Sequence, residues 1–267
     1  MIEIFTSDDP RLDAFRWRER QLTTIAQRKA GLSAGHFIAE GDLVVQRALD
    51  AGCVPDTVLC DPKQATIFGN QISDRGGLLC VASAEIRRDV TGLGVPLDAI
   101  GLFHRPMAAN AEELIATCRR LIFLDSIDNP SNIGAIVRTA VALGWDGILL
   151  DSSSGDPLSR RALRVSMGTA LNVPFARVSN TAHTLVDLRE RGVTTIGLTP
   201  AVSAVEISSV HLQPYQRRTL VLGSERSGLS ATTLEECSLH VNIPMRRGVD
   251  SLNVAAAAAV ACYALGG

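Results

Sequence analysis

Leu121-Ile122-Phe123-Leu124-Asp125-Ser126-Ile127-Asp128-Asn129-Pro130-Ser131-Asn132-Ile133-Gly134-Ala135-Ile136-Val137-Arg138 runs from an unbroken apolar stretch, through turn-forming residues, into apolar residues at helical spacing. The order is strand, turn, helix. A short apolar run with no polar alternation suits a strand covered on both faces, as in a parallel sheet. The pattern repeats downstream, so strands are expected at Leu121 to Asp125, Gly147 to Asp151, Asn172 to Ala176, Thr194 to Leu198, Thr219 to Gly223 and His240 to Ile243. Helical spacing between them covers Ile133 to Leu143, stopped by Gly144, and Thr181 to Arg191, stopped by Gly192. A final helix from Leu252 to Leu265 is nearly all alanine and must pack closely against a neighbour. That neighbour is a core, or the same helix of a second subunit.

The first hundred residues have a different texture. Apolar runs at Ile2 to Phe5, Phe37 to Ala39, Thr57 to Cys60, Leu78 to Val81 and Ala99 to Phe103 alternate with helical patterns, among them Asp42 to Ala51 before Gly52. We therefore expect a small α/β domain over 1–106, a linker over 107–120 and a parallel α/β domain over 121–267.

Composition narrows the function. With 46% hydrophobic and 20% charged residues, no apolar run of bilayer length and no basic-then-apolar leader at Met1, a soluble cytoplasmic protein is expected. The six cysteines form no C-x-x-C pair and read as reduced, buried thiols, while the five histidines share no metal-ligand spacing and are assigned to surface or core. No metal is expected. A net charge of −2 argues against nonspecific coating of nucleic acid, which needs a broad cationic excess. Any RNA contact has to be local.

Three segments place glycine, asparagine or proline where a strand hands over to a helix, which is where ligands bind in open α/β sheets. In Asp128-Asn129-Pro130-Ser131-Asn132-Ile133-Gly134, Asn132 is expected to cap the next helix, with Arg138 one turn beyond Gly134. Gly223-Ser224-Glu225-Arg226-Ser227-Gly228-Leu229 brackets a carboxylate between glycines and lacks the order of a nucleotide phosphate loop. Ile243-Pro244-Met245-Arg246-Arg247-Gly248-Val249-Asp250-Ser251-Leu252-Asn253-Val254 leads into the alanine-rich helix, with Ser251 or Asp250 as expected cap. Taken singly, each segment also reads as an ordinary turn or cap.

Together and in this order, Asn-Pro-x-Asn-x-Gly-x-x-x-Arg, Gly-x-Glu-x-x-Gly and Ile-Pro-Met followed by Ser-Leu-Asn-Val resemble the three motifs of the SpoU (TrmH) family of RNA ribose methyltransferases, over Leu121 to Leu265. The resemblance implies an α/β fold in which a parallel sheet carries a trefoil knot in its C-terminal part. It implies S-adenosylmethionine as cofactor, held by Leu198, Thr199, Pro200, Gly223, Ile243, Met245 and Leu252. It implies methyl transfer to a ribose 2′-hydroxyl, with Arg138, Asn132, Glu225, Ser251 and Asn253 as catalytic residues and Glu225 fixing Arg138 or its loop. A homodimer is implied as well, with the last helix in its interface.

Phe37-Ile38-Ala39-Glu40-Gly41 is similar, more loosely, to the substrate-recognition domain that many such enzymes carry. RNA-binding residues are then expected at Arg16, Arg18, Arg28 and Lys29 in the first domain, and at Arg160, Arg161 and Arg164 beside the site. Ribosomal RNA is the expected substrate. Transfer RNA and a noncatalytic RNA binder are the alternatives.

Overall fold

A computed structural model describes residues 1–24, 26–27, 34–246 and 251–266. The chain forms two compact units, 1–107 with 158–172, and 108–157 with 173–267. The second ordered segment of the first unit was not anticipated: the run after Pro157 reads as part of the second domain in the sequence, yet Leu158, Ala162 and Leu163 bury their side chains in the first unit.

In the first unit, β1 (Ile2–Ile4), β2 (His36–Glu40), β3 (Pro55–Cys60), β4 (Leu78–Ala82) and β5 (Ala99–His104) form a mixed sheet in the order β1-β4-β3-β5-β2. β1 and β3 run parallel to β4, whereas β5 is antiparallel to β2 and β3. The helices α1 (Glu19–Leu22), α2 (Asp42–Asp50), α3 (Pro62–Ser73) and α4 (Ala84–Thr91) connect these strands. Local chemistry sets their starts: Asp61 and Ser83 accept from the backbone N–H three residues on, and Pro62 occupies a first-turn position where its missing N–H costs nothing.

The second unit opens with α5 (Ala111–Thr117), which the sequence reading placed in a linker. It is part of the core: Leu114, Ile115 and Cys118 pack with Phe123, Leu149 and Leu185. A seven-stranded, all-parallel sheet follows, built from β6 (Arg120–Asp125), β7 (Gly147–Leu150), β8 (Phe175–Arg177), β9 (Thr194–Leu198), β10 (Val205–Glu206), β11 (Arg218–Gly223) and β12 (Leu239–Asn242). Their order is β10-β12-β9-β11-β6-β7-β8. The other helices described in this unit are α6 (Pro130–Ala142), α8 (Thr181–Glu190), α9 (Ala231–Glu235) and α10 (Val254–Gly266); α7 (Arg160–Val165) lies in the first unit. The expected strands are present, with small shifts. β8 begins at Phe175 because a 3₁₀ turn at Thr169–Leu171 and Pro174, which has no N–H to donate, precede it.

β6 and β11 are adjacent at the centre of the sheet, and every residue of β11 is buried. From β6 the chain builds outward through β7 and β8, then crosses to the opposite side for β9. This reversal puts the carboxyl ends of β6, β11, β9 and β12 side by side, the position at which such sheets bind ligands. The last helix closes over α6: Trp145 Nε1 donates to the Cys262 carbonyl at 3.2 Å, and the buried Arg218 guanidinium donates to the Leu265 carbonyl at 2.6 Å. Among the described residues no helix is long and apolar enough to cross a membrane.

Candidate active site

A cavity of about 620 Å³ opens at those strand ends, within the range of small-molecule sites. Leu198, Thr199 and Pro200 enter from the turn after β9, Gly223 and Glu225 from the loop after β11, Ile243 and Met245 from the segment after β12, and Ser251 and Leu252 from the approach to α10. Four separate loops therefore make one pocket, and each of the seven residues expected to hold a cofactor lies on its wall. Arg226, within the Gly223–Leu229 segment, also lines it, and nothing in its local spacing distinguishes it from a surface arginine.

The loop after β11 is folded tightly on itself. Gly228 N donates to the Ser224 carbonyl at 2.9 Å, and Ser224 and Gly228 form an isolated antiparallel bridge. Gly228 takes a φ of 67°, open to glycine at no steric cost. Gly223 is needed for a different reason. A Cβ placed on it would sit 2.3 Å from the Gly228 carbonyl carbon and 2.4 Å from Leu229 N.

From Glu225 on the cavity wall, three polar side chains form a chain. Asn132 Nδ2 donates to Glu225 Oε1, and Asn253 Nδ2 donates to Asn132 Oδ1 at 3.1 Å. Both partners fix the Asn132 amide, since its nitrogen faces a carboxylate and its oxygen faces a donor. Two capping assignments change here. Asn129, not Asn132, caps α6, accepting from Ser131 N at 2.9 Å, because Pro130 is suited to the first helical position and moves the start three residues upstream. Asn132 is thereby one turn inside the helix, buried, and free for Glu225 and Asn253. Asn253, rather than Ser251, caps α10, its Oδ1 accepting from Ala255 N at 2.9 Å. Ser251 is left exposed on the cavity wall, and Asp250 lies outside the described residues.

Arg138 projects from the same helix, exposed, and among the described residues it has no hydrogen-bond or ion-pair partner. Of the two contacts expected of Glu225, to Arg138 or to its loop, the structure shows none with Arg138; Glu225 instead accepts from Asn132. An exposed, unpaired guanidinium is available to an incoming anion.

The approach from β6 is rigid. Ser126 adopts a φ of 61°, and Asp151 accepts from Ser126 N at 3.0 Å and Ser154 N at 2.8 Å. Burial pushes the Asp151 carboxyl up, but the hydrogen bonds from Ser153, Ser154 and Ser126 outweigh it and hold the group below the usual carboxylate range. Asp125 is pushed the other way, by burial and the neighbouring Asp151 charge, against the opposing hydrogen bonds of Thr233 and Ser126.

Of the three arginines on α7 expected to bind RNA, Arg160 and Arg164 make contacts within the first unit. In the first unit, Arg160 donates to the carbonyls of Phe15 at 3.0 Å and Trp17 at 3.1 Å, and both Arg160 and Arg164 pair with the buried Glu40, at 3.4 and 2.9 Å. Removal from water raises the Glu40 pKa despite these two cations. Arg160 is thus an internal brace, Arg164 is partly so, and Arg161 is exposed. Arg16 lies beside Asp13 at 3.6 Å, Arg18 is exposed, and Arg28 and Lys29 lie outside the described residues.

Comparison with known proteins agrees with this geometry. Residues 119–263 match the SpoU rRNA Methylase family. A tRNA/rRNA methyltransferase of Mycobacterium bovis, itself uncharacterized, is 34% identical over 264 residues, 98% of this chain and 90% of that one. The 23S rRNA (guanosine(2553)-2′-O)-methyltransferase of Bacillus subtilis is 28% identical over 90% of this chain and 92% of its own. Among solved structures, an AdoMet-bound rRNA methyltransferase from Sinorhizobium meliloti superposes with a TM-score of 0.81 at 24% identity, covering 98% of this chain and 96% of that one. With the family matched across the cavity-bearing unit and a relative aligned along nearly the whole length, the chain belongs to the SpoU (TrmH) family of RNA methyltransferases.

Proposed function

We propose that this protein transfers a methyl group from S-adenosylmethionine to a ribose 2′-hydroxyl of RNA, with ribosomal RNA as the substrate. The observation that carries the reading is the cavity at the carboxyl ends of β9, β11 and β12, with the Glu225–Asn132–Asn253 chain leading from its wall and Arg138 on α6.

The residues present suit the cofactor. An adenosyl group needs flat apolar walls with backbone groups at its edges. Leu198, Ile243, Met245 and Leu252 supply the walls, and the closely folded loop from Gly223 to Leu229 brings backbone near the pocket. When bound, S-adenosylmethionine supplies an electrophilic methyl group on a sulfonium. The protein's own contribution is alignment, exclusion of water and control of charge at the attacking oxygen. Asn132, held from both sides, and Ser251 orient the nucleotide. Arg138 stabilises the negative charge that builds on the 2′-oxygen as its proton passes to solvent, and grips the adjacent phosphate; a guanidinium stays charged at neutral pH and serves as a charge stabiliser, not a base.

A homodimer is part of the same proposal. Along α10 one face, Val254, Ala258, Ala261 and Leu265, is buried, while Ala256, Val260 and Tyr263 form an exposed stripe at helical spacing, Tyr263 being 79% exposed. Such a stripe suits a twofold contact with a second copy. The six cysteines are all free and buried, in keeping with a reducing cytoplasm.

The ribosomal target draws on the Bacillus subtilis relative, whose name specifies 23S rRNA. Offering the purified protein unmodified 23S rRNA, 16S rRNA and transfer RNA in parallel, with methyl-labelled cofactor, tests it. Label confined to a ribosomal RNA is the expected result. Label confined to transfer RNA overturns the target.

A further inference from the structure

Away from this cavity, strand pairing in the first unit collects three residues that the sequence keeps far apart. β5 lies between β2 and β3. His36 and His104 face each other as direct partners in the β2–β5 ladder. Asp56 belongs to β3 at the point where its register with β5 shifts, between Pro55 and Thr57. A bulge of this kind inserts a residue and re-aims its side chain. One nitrogen from each imidazole and one Asp56 carboxylate oxygen all lie within 4.8 Å of one another.

The hydrogen bonding there is incomplete. Among the described residues His36 Nε2 is buried without a hydrogen-bond partner, although Asp56 Oδ2 is only 3.8 Å away. Buried polar atoms in folded proteins are nearly always satisfied, so an orphan beside a carboxylate and a second imidazole calls for an occupant. The two rings are tilted by 42° with centroids 4.6 Å apart.

We propose that His36, Asp56 and His104 form a site for a divalent transition metal, with Zn²⁺ the expected ion and water completing its coordination. Two imidazoles and one carboxylate are the donor set of a borderline ion; magnesium and calcium prefer oxygen alone. Zinc holds such ligands at roughly 2.0–2.2 Å, so the three donor atoms must draw together by about an ångström. Side-chain rotation provides that, because Asp56 and His104 are exposed at the rim of the sheet. Bound metal would clip three neighbouring strands, β2, β5 and β3, at one edge of the first unit. The site is separate from the methyl-transfer reading and does not depend on it.

Calorimetric titration of the EDTA-treated full chain with zinc chloride, alongside His104→Ala and Asp56→Asn, tests the proposal. The expected result is one equivalent bound by the wild type, with affinity lowered roughly tenfold or more in each variant. Zinc should also raise the wild-type unfolding midpoint by roughly 5–10 °C at a hundredfold excess over Kd. Both substituted residues are exposed, so the metal-free variants should unfold near the wild-type midpoint. Absence of zinc binding by the wild type, or binding unchanged in both variants, overturns the assignment.

Discussion

Replacing Gly223 with alanine isolates the tightest point of the cavity wall. An ideal Cβ there lies 2.3 Å from the Gly228 carbonyl carbon, 2.4 Å from Leu229 N and 2.5 Å from the Gly228 oxygen. Carbon contacts settle at about 3.5–4.0 Å, so the Gly228–Leu229 peptide must withdraw by roughly an ångström. It has little room to do so. Leu229 is buried against the core of the unit, and the Ser224–Gly228 bridge ties the two arms of the loop together. Overpacking of this kind costs about 1–3 kcal/mol, which in a chain of this size lowers the unfolding midpoint by roughly 2–12 °C. Because the same peptide lines the cavity, S-adenosylmethionine should bind about tenfold or more weakly, as measured by calorimetry. Gly69→Ala is the matched control. It lies within α3, its added methyl would meet only Leu79 Cδ2 at 3.8 Å, and it should stabilise by about 0.5–1 kcal/mol. Wild-type midpoint and wild-type cofactor affinity in Gly223→Ala would refute the steric reasoning.

Other substitutions separate binding from chemistry. Asn132→Ala leaves the Glu225 carboxylate and the Asn253 amide without their shared partner, so turnover on RNA should fall about a hundredfold in single-turnover assays while the fold persists by circular dichroism. Asp125 carries a raised pKa, so its contribution to stability is complete below the unfolded value of about 3.9 and is lost as pH rises through the folded value. Asp125→Asn should therefore unfold at a higher temperature than wild type near pH 7, with the gap closing toward about pH 3.5; thermal melts across that range check it. Burial pushes Cys60, Cys237 and Cys262 up to about 12 and Cys53 to about 11, so a thiol reagent at neutral pH should label the native protein only marginally and all six cysteines after denaturation.

How far the sequence could be read depended on the range of the interactions. Strands such as Thr194–Leu198 and Leu78–Ala82 were visible because a buried strand needs an apolar run and a turn at each end, both local features. The cavity-lining turns were visible for the same reason, since glycine and proline mark where a strand must stop. Partnership across the fold was not. Arg160 and Arg164 look like a basic helical face until Glu40, more than a hundred residues earlier, is brought beneath them. The assignment of Asn132 as a cap failed on a local rule, the preference of Pro130 for the first helical turn. His36, Asp56 and His104 share no spacing, because antiparallel pairing and a β-bulge, not sequence distance, bring them together. The placement of Leu158–Asn172 with the first unit likewise rests on contacts with residues far upstream.

Methyl transfer to ribose under the control of Arg138 is the proposed activity. The most direct measurement incubates the protein with methyl-labelled S-adenosylmethionine and ribosomal RNA lacking the modification, then digests the RNA to nucleosides. We predict label in a single 2′-O-methylated nucleoside, and its loss in Arg138→Ala with cofactor binding retained. Label on a base, or undiminished ribose methylation by Arg138→Ala, would contradict the account.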